Sequence, residues 1–369
     1  MGTSGSSRRG FLKYGGAAAV AGGLLTGANL RATEAGGQAS DAIKVAGYDY
    51  DRVKGIINGR ASIPGRDVRF HYANIYDVNR RAFGKEQPYE VTELGLVPYM
   101  TRYINHDFRD YTLVPVFISR IFRHRNIFVH SDSGIEAPEQ LRGKIVGTPG
   151  YGMSANTWIR GFLKDEHGVE ADDFTWVETA KSSDGKELNA GFAKYYFPPD
   201  FPLKKGPPGI DESELLLSGQ CDALITAINP KAFEDRDPGI QRLYPDVKET
   251  EQDYYRKTGL FPIMHVVAIR NDAVRKDPSL PMAVYNMYNE AKRQAYTELD
   301  STTALRVTLP WMTQEYEETR DLMGEDYWPY GISQNAKELE VLSRYVHEQG
   351  LVKKQVDVRT MFHPSTLET

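Results

Sequence analysis

The chain of 369 residues has one cysteine, Cys221, so no disulfide can form within it and its stability must come from burial and hydrogen bonding. After residue 40 no segment is long and apolar enough to cross a bilayer as a helix, which takes ~20 mainly apolar residues, so no membrane span is expected in the mature chain. Long basic runs are missing as well. With a formal charge of −5, the chain is a poor match for nucleic acid. Several catalytic signatures are absent: the Gly-x-Ser-x-Gly elbow, the Walker loop and His-Glu-x-x-His. The eight histidines are not spaced like zinc ligands, so no metal site is expected. There is no internal repeat and no low-complexity tract.

What is present begins with a targeting segment. Ser7-Arg8-Arg9-Gly10-Phe11-Leu12-Lys13 is a twin-arginine pattern, followed by a Gly/Ala/Leu-rich stretch from Tyr14 to Leu30 and small residues around Ala35 and Ala39. Residues 1–39 therefore read as a signal peptide, and the mature protein is expected to be periplasmic or otherwise extracytoplasmic. Removing Arg8, Arg9, Lys13, Arg31 and Glu34 takes the formal charge to about −8.

The remainder alternates strand and helix signals. Ile43–Tyr48, Val68–Tyr72, Val91–Leu94, Leu113–Phe117, Ile127–His130, Ile145–Gly147, Phe174–Val177, Ala223–Ile225 and Met264–Arg270 are short β-prone runs, most followed by helical patterns. This predicts an α/β protein built on βαβ units. A helix is expected over Met153–Glu166. Another follows the apolar stripe of Met282, Tyr285, Tyr288, Ala291, Ala295 and Leu299. Asn335 with Glu338 predicts a capped final helix. Five prolines between Pro198 and Gly209 predict an irregular loop.

Three local patterns carry possible chemistry. Gly150-Tyr151-Gly152-Met153-Ser154-Ala155 stands between a strand and a helix, where backbone N–H groups can meet a carboxylate; a dinucleotide reading of the same glycines is weaker. Ser119-Arg120-Ile121-Phe122-Arg123-His124-Arg125 gathers three arginines in an acidic protein, and a planar guanidinium binds a carboxylate through two hydrogen bonds. Arg125 reads as a solvated surface residue. Phe261-Pro262-Ile263-Met264-His265 sets a histidine at the start of an apolar strand.

Taken with Tyr50-Asp51-Arg52, Gly59-Arg60, Glu93-Leu94-Gly95-Leu96, Leu141-Arg142-Gly143-Lys144, Trp328-Pro329-Tyr330-Gly331 and His347-Glu348-Gln349-Gly350-Leu351, these segments resemble the 4,5-dihydroxyphthalate decarboxylase family. The likeness runs from about Ile43 to Phe362. It implies a two-lobed α/β fold of the type II periplasmic-binding-protein kind, with the ligand cleft between the lobes. One lobe would hold residues 43–129 and 265–369, the other 133–262. Tyr48, Glu93, Arg120, Arg123, His124, Tyr151 and His265 would face the cleft, and Trp328 and Tyr330 would pack the C-terminal helices.

The resemblance implies decarboxylation of a hydroxylated aromatic acid. His124 and His265 would be the acid and base, Arg120 and Arg123 would orient a carboxylate, and Glu93 would hold a ring hydroxyl. This scheme needs no cofactor. An exported solute-binding protein for a related small anion, delivering it to an ABC-type permease, is the alternative. The export signal favours that reading, because the family's catabolic decarboxylases act in the cytoplasm. The insertion between Thr179 and Gly209 also departs from a minimal family member.

Overall fold

The computed structural model describes residues 42–179, 181 and 203–369. The twin-arginine segment and most of the proline-rich stretch lie outside these residues. Eleven strands are described, in two mixed sheets. They are β1 (Ile43–Gly47), β2 (Val68–Tyr72), β3 (Val91–Gly95), β4 (Tyr111–Arg120), β5 (Ile127–His130), β6 (Ile145–Thr148), β7 (Thr175–Glu178), β8 (Leu203–Lys205), β9 (Ala223–Ile225), β10 (Ile240–Arg242) and β11 (Ile263–Arg270).

The first sheet has the order β2-β1-β3-β11-β4, the second β10-β5-β9-β6-β7-β8. In the first, β1 runs parallel to β2 and β3, while β11 runs antiparallel to β3 and β4. In the second, β9, β6, β7 and β8 are parallel and β5 is antiparallel to β9 and β10. Central strands such as β3 are buried along their whole length, as sheets covered on both faces require. Burying each large apolar side chain there, such as Leu94, contributes about 1.5–3 kcal/mol.

The chain crosses between the sheets twice, at Ile121–Asn126 and at Gly259–Pro262. The crossings are tied together: Ile121 N–H donates to the Pro262 carbonyl at 3.2 Å, and the Phe122 and Phe261 rings stack with centroids 4.7 Å apart.

Four expectations change. β5 belongs to the second sheet, so the first lobe's opening segment ends at Arg120 rather than at residue 129. Residues after 265 do not serve one lobe alone, because the helix Ala336–Glu348 packs on the helix Ser154–His167 of the other. The approach is so close that a Cβ on Gly161 would fall 2.1 Å from the Tyr345 ring. Asn335 does hold the N-cap position of the helix Ala336–Glu348, but its side chain makes no capping bond: it closes a 3-10 turn, and its amide donates to the Pro329 and Gly331 carbonyls at 3.2 and 2.7 Å. Leu203–Lys205, inside the proline-rich stretch, is a strand, because its backbone pairs with β7.

The long helix is Leu280–Leu299. Its buried stripe runs through Leu280, Val284, Met287, Tyr288, Ala291 and Ala295, leaving Met282 and Tyr285 at the margin. The helix Ser154–His167 ends on Gly168, whose φ of 62° suits a left-handed C-cap.

Candidate functional site

The site grows from the C-terminal ends of two parallel neighbours, β1 and β3. Pairing of Ala46 with Thr92 brings the next residues, Gly47 and Glu93, side by side. A side chain at Gly47 has no room, since a Cβ there would lie 2.7 Å from Glu93 Oε2. The glycine thus lets the backbone after β1 fold over the carboxylate. Glu93 Oε2 accepts the Tyr48 N–H at 3.1 Å, and Glu93 Oε1 accepts the Tyr50 hydroxyl at 2.8 Å.

His265, near the start of β11, supplies the third contact. Its Nδ1 lies 2.5 Å from Glu93 Oε1. The carboxylate side chain is 3% exposed and the imidazole 17%. A buried carboxylate accepts, so the pairing puts the imidazole proton on Nδ1 and leaves Nε2 as the uncommitted ring nitrogen. Ser119 sits opposite His265 in the sheet register. Burial, and then the neighbouring Glu93 charge, push the Tyr50 hydroxyl far above its ordinary range, so Tyr50 stays a hydrogen-bond donor.

Arg123 comes from the first crossing. Its Nε faces the Met264 sulfur at 3.3 Å, one residue from His265, and its Nη1 donates to Asn126 Oδ1 and the Ala227 carbonyl at 3.2 and 2.9 Å. Among the described residues Arg123 has no carboxylate partner and its Nη2 has no hydrogen-bond partner. Burial first, and Arg125 second, push the guanidinium down to about 10, which leaves it charged at neutral pH. Thr226, the chain neighbour of Ala227, has its Oγ1 buried without a partner among the described residues.

The structure thus brings Tyr48, Glu93 and His265 together, and Arg123 meets the side chain of Met264, the residue before His265. It does not bring in three other residues expected there. Alternation along β4 sends Arg120 to the side opposite Ser119, where it is 2% exposed, bonds Asn335 Oδ1 and lies 3.7 Å from Glu338. His124 is stacked on Phe162 with centroids 4.1 Å apart and enclosed by Tyr244 and Tyr254. Neither of its ring nitrogens has a partner among the described residues, and burial pushes it down to about 3. It is neutral at physiological pH and cannot act as an acid there. Tyr151 is 1% exposed, with its ring under the Arg160 guanidinium at 3.6 Å and its hydroxyl directed to the Gln349 carbonyl.

Sequence reasoning missed Tyr50, Ser119 and Thr226. Tyr50 opens the Tyr50-Asp51-Arg52 motif two residues beyond the expected end of the first strand, and that position was the signal. Glu93 was expected to hold a ring hydroxyl; in the structure its oxygens accept from Tyr48, Tyr50 and His265, with one acceptor direction of Oε2 left over. Among the described residues no three His, Cys, Asp or Glu side chains are grouped as a metal ion would need, and no helix is long and apolar enough to cross a membrane.

Two mixed sheets joined by two crossings make this a two-lobed α/β protein, with the Glu93–His265 pair at strand ends of the first sheet. The chain matches no protein-family profile. It is 33% identical over 327 residues to the 4,5-dihydroxyphthalate decarboxylase of Comamonas testosteroni, covering 89% of this chain and 98% of that one. It is 34% identical over 214 residues to the enzyme of the same name from Pseudomonas putida, covering 58% and 81%. The chain belongs to the 4,5-dihydroxyphthalate decarboxylase family. Among solved structures it is similar to the periplasmic aliphatic sulphonate binding protein of Escherichia coli, at a TM-score of 0.49 and 14% identity over 89% of this chain and 99% of that one.

Proposed function

We propose that the protein decarboxylates a hydroxylated aromatic carboxylate of the 4,5-dihydroxyphthalate type. The observation that carries this reading is the Glu93–His265 pair, at 2.5 Å, in a chain whose curated relatives bear that activity in their names. The net chemistry adds one proton to the ring carbon that bears the carboxylate and releases CO2. A ring hydroxyl para to that carbon gives up its proton, and its electrons move into the ring. The ring carbon takes a proton, the carbon–carboxylate bond breaks, and the bonding pair restores aromaticity.

In this reading His265 Nε2 moves that proton, and Glu93 orients the imidazole and stabilises its cationic form. Tyr50 and the Tyr48 N–H hold Glu93 in turn. Arg123 Nη2 and the Thr226 hydroxyl would receive a carboxylate of the substrate, a charge-assisted pairing that the empty guanidinium edge suits. Residues 1–39 would direct the protein out of the cytoplasm by the twin-arginine route.

The test is incubation of the purified protein with 4,5-dihydroxyphthalate and other hydroxylated benzoates, following CO2 release together with thermal stabilisation. Release that disappears in His265→Gln supports the enzyme. Stabilisation without any CO2 would overturn it and leave a solute-binding protein for aromatic anions.

A further inference from the structure

Arg52 is tied down far more tightly than a surface cation needs. Its guanidinium carbon lies 4.1 Å from the centroid of the Tyr50 ring on one side and 4.1 Å from that of Trp328 on the other. Its Nε donates to the Ile118 carbonyl at 2.8 Å and its Nη1 meets Asp51 at 3.0 Å. Asp51 alone would satisfy the charge. Holding so flexible a side chain in one conformation costs rotamer entropy, which the two ring contacts help to offset.

Each ring leads somewhere different. Trp328 donates its Nε1–H to the Phe117 carbonyl at 2.9 Å and sets its ring edge-on to Phe261, with centroids 5.2 Å apart. Phe261 lies in the second crossing and stacks on Phe122 in the first. Tyr50 leads the other way, through its hydroxyl to Glu93 Oε1 and so to His265. Arg52 touches both the tyrosine and Trp328, the ring that abuts the crossing aromatics.

We propose that Arg52, clamped between Tyr50 and Trp328, is a positioning residue that couples the geometry of the two chain crossings to the Glu93–His265 pair. Stacked contacts weaken quickly with displacement, so a shift of the crossings moves Trp328, then the guanidinium, then the Tyr50 ring. The Tyr50 hydroxyl leaves Glu93, and the carboxylate loses one of the donors that fix its rotamer. The imidazole is aligned only when the crossings adopt the arrangement seen here. Lysine cannot fill this role, because an ammonium offers no planar faces for two rings and has no Nε–H for Ile118.

The inference rests on the decarboxylase reading, and two readouts keep the two separable. The first is steady-state CO2 release from 4,5-dihydroxyphthalate by the full chain and its Arg52→Lys, Trp328→Phe and Tyr50→Phe variants. Arg52→Lys should lower kcat by roughly 10- to 100-fold with KM nearly unchanged. The Arg52→Lys/Tyr50→Phe double variant should be no slower than Tyr50→Phe alone, since both act through one hydroxyl. An unchanged kcat, an effect confined to KM, or losses that multiply in the double variant would overturn the proposal.

The second readout needs no turnover. The His265 Nδ1–H, in a short bond to a buried carboxylate, should give a downfield proton resonance that is absent from His265→Gln. That resonance should shift or broaden in both Arg52→Lys and Trp328→Phe. If it persists unchanged in both, Arg52 does not position the pair, whatever the wild-type protein does to the substrate. A wild-type protein that shows the resonance and its loss in these variants, yet releases no CO2, defeats the decarboxylase reading alone.

Discussion

His265 Nδ1 and the Tyr50 hydroxyl share one oxygen, Glu93 Oε1, at 2.5 and 2.8 Å. That arrangement spends both lone-pair directions of the oxygen on orienting groups and leaves none for substrate. Under the proposed decarboxylation Glu93 is a positioning carboxylate and His265 Nε2 the nitrogen that moves the proton. His265→Gln should reduce CO2 release by about 10²- to 10⁴-fold, the usual worth of a general acid–base, while ligand-induced thermal stabilisation survives. Glu93→Gln should lose nearly as much, because the imidazole then has no anion to stabilise its charged form. A His265→Gln variant that keeps wild-type kcat would remove the histidine from the mechanism.

Gly47 should tolerate no side chain. A Cβ would fall 2.7 Å from Glu93 Oε2 and 3.2 Å from Glu93 Cβ, and the carboxylate cannot retreat without abandoning Tyr48, Tyr50 or His265. Gly47→Ala should cost about 1–3 kcal/mol of stability, as overpacking does, and lower kcat together with it. Urea unfolding beside CO2-release kinetics checks both halves. Unaltered kinetics in the alanine variant would mean that the loop after β1 has slack the contacts do not show.

The fold was legible where the apolar runs were short and bounded. Ala223–Ile225 and Val68–Tyr72 were placed to the residue, because turn residues flank them and nothing else competes. The boundary between lobes was misplaced at Ile127–His130, since an apolar strand carries no mark of the sheet it joins. Pairing partners are set by tertiary context. That Tyr48, Glu93 and His265 lie near one another was expected from the family resemblance, and the structure does bring them together. Arg120 and His124 misled because a basic cluster reveals charge but not direction. One residue separates Ser119 from Arg120, and that step alone turns a side chain to the other face of the strand.

Arg120, the last residue of β4, and Arg123, in the first crossing, should behave oppositely. Arg120 is buried with Glu338 at 3.7 Å, so Arg120→Met leaves a buried carboxylate without its cation and should cost about 3–5 kcal/mol, while KM of the folded fraction stays put. Adding Glu338→Leu should restore much of the loss. Arg123 keeps an empty guanidinium edge, so Arg123→Met should instead raise KM, by the roughly 10- to 100-fold that losing a charged hydrogen bond of about 1.5–3 kcal/mol implies. Denaturation midpoints and KM values for both variants separate the roles. A raised KM in Arg120→Met would return that residue to the site.

His124 makes a prediction about pH that is independent of catalysis. In the folded chain it is stacked on Phe162 with both nitrogens unpaired among the described residues, and burial pushes it down to about 3, with His167 adding a smaller push in the same direction. In the unfolded chain an ordinary histidine titrates near 6.5, so between the two values the unfolded state binds the extra proton. The stability that neutral His124 allows is complete above the unfolded value and drains away as pH falls below it. Between pH 7.5 and pH 5 the linkage amounts to about 2 kcal/mol from this one side chain. Carboxylates elsewhere add their own dependence, so the informative quantity is the difference between the wild-type protein and His124→Phe, which keeps an aromatic ring against Phe162 and removes the titration. Urea unfolding at both pH values should show the phenylalanine variant losing about 2 kcal/mol less on acidification. Equal losses in the two proteins would mean that His124 reaches water or a partner when protonated, and that its ring is not sealed in the second lobe.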